Sequence, residues 1–301
     1  MSDLDKLRTE REAVRGSAVR GRATRYSEAV DRLLGVADYS ATHHIMPRPT
    51  VVTKTGLVVV GVDDTATSYT AVDHATIEAE LRGWRLRLLH AQHSDTGRVP
   101  AHEEGARLLE RMTDRVRAYS PTVPVSSRLV IGPAARCLLA EARDAGLIVV
   151  GHQHGLAGAV FGVSVGDRVA TEHTGAVLVV RIPGWPTGSG FGSRPVVAGI
   201  DGDDSTVFAF AHAEARVRGS DLVLLHASRT PRVDRTETMG GVHMRWRYVA
   251  EDPDEALIKA SDKAAALVMG RRGRSGIAGA LLGSVSRSVV QHAHCPVFLV
   301  G

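Results

Sequence analysis

Apolar residues fall in short unbroken runs of Val, Leu and Ile, separated by longer stretches in which apolar positions return every three or four residues. The runs read as strands apolar on both faces, and the longer stretches read as helices. The first strong run, LVVVGVDDTATS (57–68), recurs as PVVAGIDGDDS (195–205). Each ends in Gly-Val/Ile-Asp and a turn rich in helix-capping residues, so Asp63 and Asp201 are equivalent. Both copies continue into an alanine-rich helix closed by a glycine, Gly83 or Gly219, and then a strand, LRLLHA (86–91) or DLVLLHA (221–227). Further on, CLLAEARDAGLIVVG (137–151) matches ALIKASDKAAALVMG (256–270), and each copy finishes on an apolar strand, AVLVV (176–180) or VFLV (297–300).

This alternation predicts an α/β fold of two tandem domains, each a parallel sheet with right-handed crossovers and helices on both faces. The predicted boundaries are an extension over 1–55, a first domain over 56–182, a Pro/Gly/Ser linker over 183–194 and a second domain over 195–301. The extension reads as one or two polar helices, including TRYSEAVDRLLGV (24–36), and has no partner in the repeat. After His90 the first copy has a helix with Leu108, Leu109, Met112 and Val116 on one face, whereas its counterpart 228–241 is short and rich in turn residues. The second domain is therefore expected to have that covering helix shortened or lost.

Composition narrows the function classes. With 44% apolar and 23% charged residues, no run of membrane-spanning length and a polar start, the chain is expected to be a soluble cytoplasmic protein. A net charge of +4, carried by scattered arginines, makes nucleic-acid binding unlikely. Cys137 and Cys295 lie one in each half without zinc-finger spacing and read as reduced core thiols. His292, His294 and Cys295 precede a strand and read as a turn, and no metal site is predicted.

The chemistry concentrates after strand LVMG of the second copy. Gly270, Gly273 and the Gly283-Ser284 step follow the order G-x-x-G, nine residues, G-S. Such glycines let backbone N–H groups approach an anion, and Ser284 to Ser286 open the next helix, where orphan N–H groups and the helix dipole favour phosphate. No Walker motif or dinucleotide-type GxGxxG is present. In the first copy G-x-x-G becomes Gly151-x-x-His154, and the Gly-Ser step becomes Val163-Ser164, or Gly162-Val163 with a one-residue shift. A β-branched Val there should obstruct a phosphate.

The repeat, the strand-ending Asp, the loop and the ending HCPVFLV together resemble the universal stress protein family in its tandem form, over roughly residues 56–301. The resemblance implies an adenine-nucleotide α-hydrolase-like, Rossmann-like fold that binds ATP, with Mg2+ as an accessory ion. It also implies that the terminal edge strands pair across a pseudo-two-fold axis, AVLVV against VFLV. By position it implies that Asp201 contacts the ribose, that Ala227 contacts the adenine through its backbone with Met269 beside the base, and that Gly270, Gly273, Gly283, Ser284 and Val285 hold the phosphates. Ser286 is a further phosphate candidate. A degenerate second site would comprise Asp63, Ala91, Gly151 and Ser164.

No general base or activated nucleophile accompanies the loop, so no catalytic residue is assigned and a nucleotide-binding regulatory role is the first reading. The alternatives are a slow ATPase or phosphotransferase using Asp201 or Mg2+, and a nucleotide-independent scaffold whose 1–55 extension binds another protein. An unidentified protein partner and a homodimer are both compatible with the sequence.

Overall fold

The computed structural model describes residues 24–33, 56–92, 99–152, 164–182, 194–202, 205–228, 232–271 and 282–301. In chain order the elements are α1 (Arg25–Leu33), β1 (Leu57–Gly61), α2 (Ala66–Arg82), β2 (Arg85–Gln92), α3 (Val99–Tyr119), β3 (Val125–Ile131), α4 (Ala134–Glu141), β4 (Leu147–Gly151), α5 (Val165–Glu172) and β5 (Ala176–Val180). The second half adds β6 (Val196–Gly199), α6 (Ser205–Arg218), β7 (Leu222–Ala227), β8 (Arg235–Met239), β9 (Val242–Val249), α7 (Pro253–Ser261), β10 (Ala266–Gly270), α8 (Ser284–His292) and β11 (Val297–Val300). The 183–193 part of the proposed linker lies outside the described residues.

All strands form one 11-stranded sheet in the order β3-β2-β1-β4-β5-β11-β10-β6-β7-β9-β8. Each half is parallel apart from β8, and the halves meet where β5 and β11 pair antiparallel, Val297 with Val179, Phe298 with Leu178 and Leu299 with Val177. The expected pairing of the terminal strands is thus present. Alternate strand residues point to opposite faces. Val58, Val60, Leu86, Leu88, Leu178, Leu222, Leu224 and Phe298 pack under α2, α3 and α6, while Val59, Ile148, Val177, Val197, Leu267 and Leu299 pack under α4, α5, α7 and α8.

On the first face α2 and α6 end in the same way. Gly83 and Gly219 sit at φ 65° and 70°, left-handed positions that glycine adopts without a Cβ clash. Their N–H groups bond Glu80 O and Arg216 O, and the next N–H groups, of Trp84 and Ser220, bond Ala79 O and Ala215 O. This is the paired C-terminal cap of a Schellman motif, made identically in both copies.

Two expectations need correction. Residues 232–241 contain no shortened helix; Arg235–Met239 is the edge strand β8, antiparallel to β9. The cause is local: Gly240-Gly241, both at positive φ, join Met239 to Val242 as a two-residue hairpin turn. The extension is also not simply polar. Tyr26, Ala29, Val30 and Leu33 of α1 are buried with Ile77 of α2 and Ala265, so one face of the helix belongs to the core.

Beneath α1, four charges join the halves. Arg218 pairs with Glu78 and Glu214, and Arg82 pairs with the same two carboxylates, so that opposite charges alternate around a ring built by α2 and α6. Glu78 and Glu214 hold equivalent places in EAELRG (78–83) and EARVRG (214–219), as do Arg82 and Arg218. Arg218 is 1% exposed and lies between rings, 4.1 Å from the Tyr26 centroid and 5.9 Å from that of Phe298. Burial opposes the charge of Arg218, but Glu78 and Glu214 hold its pKa above the ordinary value. Burial pushes Glu214 up, yet Arg82 and Arg218 together draw it below the usual carboxylate range. For Glu78, burial and the neighbouring Glu214 prevail over the two arginines and raise it.

Removing one member of a buried ion network strands its partners. Arg218→Met is expected to cost about 3–5 kcal/mol in urea unfolding at neutral pH. Because Arg82 and Arg218 draw the folded-state pKa of Glu214 below its ordinary value of 4.5, its contribution is present above that value and is lost as pH falls through the folded value. Glu78 and Glu214 each contact both arginines, so Glu78→Gln and Glu214→Gln should both lower stability at pH 7, with the Glu214→Gln loss shrinking below pH 4.5; a Glu214→Gln loss that does not change with pH would contradict the pairing.

Candidate functional site

Ligands of open parallel sheets bind beyond the carboxyl ends of the strands, where the strand order reverses. In the second half that point is β6, flanked by β7 on one side and β10 on the other. Asp201 lies just past β6 and is exposed, Ala227 ends β7, and Met269 and Gly270 end β10. The parallel registers Gly199–Leu225 and Ala198–Val268 bring these strand ends to a common edge. The Met269 side chain is buried with Leu282 and Val289 in the core, so its main chain is what borders the crevice. Gly273 lies outside the described residues.

The loop that leaves Gly270 returns to the same edge. Gly283 N–H donates to Arg271 O at 3.0 Å, and Arg271 N–H donates to Val300 O at 3.1 Å. Gly283 is the N-cap of α8, in extended conformation, and among the described residues no side chain caps the helix. The N–H groups of its first turn, on Ser284, Val285 and Ser286, have no acceptor within the helix itself. Ser286 itself is buried and its hydroxyl donates to Gly270 O at 2.9 Å, so this candidate braces α8 against β10.

The equivalent helix of the first half has the opposite character. Counting back from the last strand pairs, Val300 with Gly270 and Val180 with Gly151, places Ser164 against Ser284 and Asp167 against Arg287. Ser164 caps α5, its hydroxyl oxygen accepting from Asp167 N–H at 3.0 Å while the hydroxyl donates to the Asp167 carboxylate at 2.8 Å. A helix N-terminus that is already capped and carries its own carboxylate does not attract an anion. Asp63 is also committed, accepting from Thr65 Oγ1 at 2.5 Å and Ser68 Oγ at 2.7 Å at the start of α2. Ala91 and Gly151 end β2 and β4 at the corresponding edge, and His154, Gly162 and Val163 lie outside the described residues.

Sequence reasoning passed over one repeated residue. His226 Nδ1 donates to Ile200 O at 2.9 Å, and His90 Nδ1 donates to Val62 O at 2.8 Å, each pinning the backbone next to the strand-ending Asp. With Nδ1 protonated against a carbonyl, Nε2 of the neutral ring is an acceptor. The Tyr248 ring meets His226 edge-on at 5.9 Å and takes Arg232 over its face at 5.7 Å. The signals were present: LLHA occurs in both copies, and the period-two pattern Val242, Met244, Trp246, Tyr248 marks the strand.

Cys295 is a buried thiol pushed up to about 12, chiefly by burial, which is not the character of a reactive thiolate, and Cys137 is half-buried on α4. Among the described residues no group of three His, Cys, Asp or Glu converges. No helix of the described residues is long and apolar enough to cross a membrane.

Comparisons with known proteins agree with this architecture. The profile of the Universal stress protein family matches residues 56–181 and 234–301. A universal stress protein of Mycobacterium tuberculosis is 30% identical over 289 residues, covering 80% of this chain and 95% of its own length. One from Mycolicibacterium smegmatis is 30% identical over 284 residues, covering 81% and 96%. Among solved structures, a universal stress protein from Archaeoglobus fulgidus superposes with a TM-score of 0.60 at 14% identity, covering 82% of this chain and 99% of that one, a likeness of fold.

The brace on α8 can be tested directly. Ser286→Ala leaves the half-buried Gly270 carbonyl without this donor and should cost about 1 kcal/mol, read as a lowered melting temperature. An unchanged melting temperature would show that the hydroxyl does not hold the helix.

Proposed function

The chain belongs to the universal stress protein family in its tandem form, and we propose that its second half binds ATP and that the bound nucleotide sets which conformer docks a protein partner. The observation that carries this reading is the contrast between the two equivalent helices. Among the described residues the N-terminus of α8 has no side-chain cap, its first turn holds no acid, and Arg287 stands in the sequence where α5 has Asp167. Uncapped N–H groups, the positive helix end and a nearby cation form an anion site, and the glycine at Gly283 lets a phosphate come close.

The other groups fit a nucleoside. Asp201 is exposed at the edge, where a carboxylate accepts from ribose hydroxyls, and the backbone at Ala227 ends the adjacent strand, where peptide groups can read the adenine edge. Glycine at 273 and the N–H groups of Ser284 and Val285 complete the proposed phosphate contacts. Mg2+ accompanying the triphosphate would take most of its ligands from phosphate oxygens and water. Among the described residues Asp201 is the one carboxylate just past β6, and one carboxylate gives no acid–base pair, which favours binding and release over turnover. A cytoplasmic location and nucleotide-controlled partner exchange belong to the same reading.

Denaturing the purified protein and identifying the released nucleotide by mass spectrometry tests the proposal. About one adenine nucleotide per chain is expected, since only one of the two helix ends has the character of an anion site. Gly283→Val, which copies the first half's residue into the second, is expected to abolish it while leaving the fold intact by circular dichroism. A wild-type chain that emerges empty, with a melting temperature unmoved by added ATP, overturns the reading.

A further inference from the structure

We infer that Arg271 is a positioning residue that ties the proposed phosphate loop to the seam between the halves, so that the nucleotide and the seam stabilise each other. This inference rests on the site proposed above, but its support is separate. Arg271 reads from sequence as one of several loop arginines, yet it is buried, 5% exposed. Its main chain holds both ends of the loop: it follows Gly270 directly, its carbonyl accepts from Gly283 N–H, and its own N–H donates to Val300 of β11. Its guanidinium leaves the loop altogether. Nη1 donates to Gly301 O at 2.5 Å, and Nη2 donates to Gly175 O and, at 3.5 Å, to Leu299 O.

Gly175 belongs to the other half and directly precedes β5, the strand that pairs with β11 across the seam. One side chain therefore grips the strand ends on both sides of the junction, and its backbone carries the base of the loop. The planar fork of a guanidinium suits this task, because it can donate to several carbonyls at once. In the first half, His152 makes the matching main-chain bond, N–H to Val180 O at 2.7 Å, but an imidazole has no such fork. The neighbouring His173 keeps the surroundings uncharged: burial, and then the charge of Arg271, hold its pKa below the ordinary value.

Closing Gly283 and the first turn of α8 around a phosphate fixes the segment that Arg271 O supports, and hence the docked position of the guanidinium. Linkage then requires reciprocity: if ATP favours the docked arrangement, docking favours ATP by the same factor.

The test compares wild type, Arg271→Met, Arg271→Lys and Phe298→Leu. The last is a core substitution at the seam, where Phe298 packs against Phe210, and it serves as the control for plain loss of stability. ATP affinity is measured by calorimetry, and hydrogen exchange of the β5 and β11 amides is followed with and without ATP. Arg271→Met should weaken ATP binding about tenfold or more, Arg271→Lys should recover part of the loss, and Phe298→Leu should bind as wild type. ATP should slow exchange along β5 in the wild type and not in Arg271→Met. Wild-type protein that binds ATP without slowing exchange in β5 overturns the inference even if Arg271→Met fails to fold, as does equal ATP affinity in Arg271→Met. A wild type that binds no ATP removes the site itself, a different failure seen in the first titration.

Discussion

The antiparallel pairing of β5 with β11 is the constraint from which the rest of the molecule follows. It fuses two parallel sheets into one and removes the inner edge that each half would otherwise expose, so that the seam strands Ala176–Val180 and Val297–Val300 are buried along their length. The pseudo-two-fold relation at Leu178 and Phe298 sets α2 and α6 side by side, and the four charges of Glu78, Arg82, Glu214 and Arg218 meet there. Buried ions are poor sources of net stability, but they discriminate strongly between arrangements. Each helix contributes Glu and Arg four residues apart, one helical turn, so sliding α2 by a turn would set Arg82 against Arg218 and leave each carboxylate only the arginine of its own helix. Hydrophobic contact between two alanine-rich helices tolerates such a slip far better than the ring does. The Tyr26 ring of α1 then covers Arg218 and shields the ring from water, which gives the extension a structural task.

Symmetry at the seam gives way to asymmetry at the outer ends. In the first half α3 covers the sheet beside β2 and β3, and Arg115 fixes it to Asp73 of α2 through bonds of 2.6 and 2.8 Å. In the second half β8 takes that place in the chain, and the face beside β9 is closed by Phe208 and Trp246, with Arg235 over the indole at 4.4 Å and Glu237 accepting from its N–H at 2.6 Å. The same divergence reaches the strand ends, where Ser164 and Asp167 satisfy one helix from within and Gly283 and Arg287 leave its counterpart to be satisfied from outside. A helix needs its first N–H groups met by something. The first half meets that need with its own side chains, and in the proposed reading a bound phosphate meets it in the second half.

What could be read from the sequence was what is determined locally or repeated. The runs ending in Asp63 and Asp201, the capping glycines and the two closing strands each state their element in a few residues, and their recurrence fixed the tandem. The Gly283-Ser284 step was legible in the same way as the start of a helix. What escaped was determined by distant partners. The role of Arg271 left no local signal, because its acceptor at Gly175 is 96 residues away. The charge ring left only a faint trace, EA-x-x-RG in both copies, whose meaning depends on the packing of α2 against α6. The hairpin was missed through weight given to turn residues over the alternation from Val242 to Tyr248, although Gly240-Gly241 is itself a hairpin signal.

These long-range ties bear on why a chain with one proposed site keeps two halves. Taken alone, the second half would expose the apolar edge of β11, strip Arg218 of Glu78 and of the Tyr26 ring that covers it, and deprive Arg271 of Gly175. The first loss invites aggregation and the second opens the charge cluster to water, and both are open to repair by surface substitutions. The third reaches the loop itself, because the residue that would lose its anchor is the one whose backbone closes the loop on Gly283. The first half, with its own helix end capped and acidic, is therefore free to diverge as a ligand site only so long as it still presents β5 and the Gly175 carbonyl to its neighbour. The contacts that hold the tandem together are also those that shape the loop, so the site belongs to the whole chain rather than to the half that carries its residues.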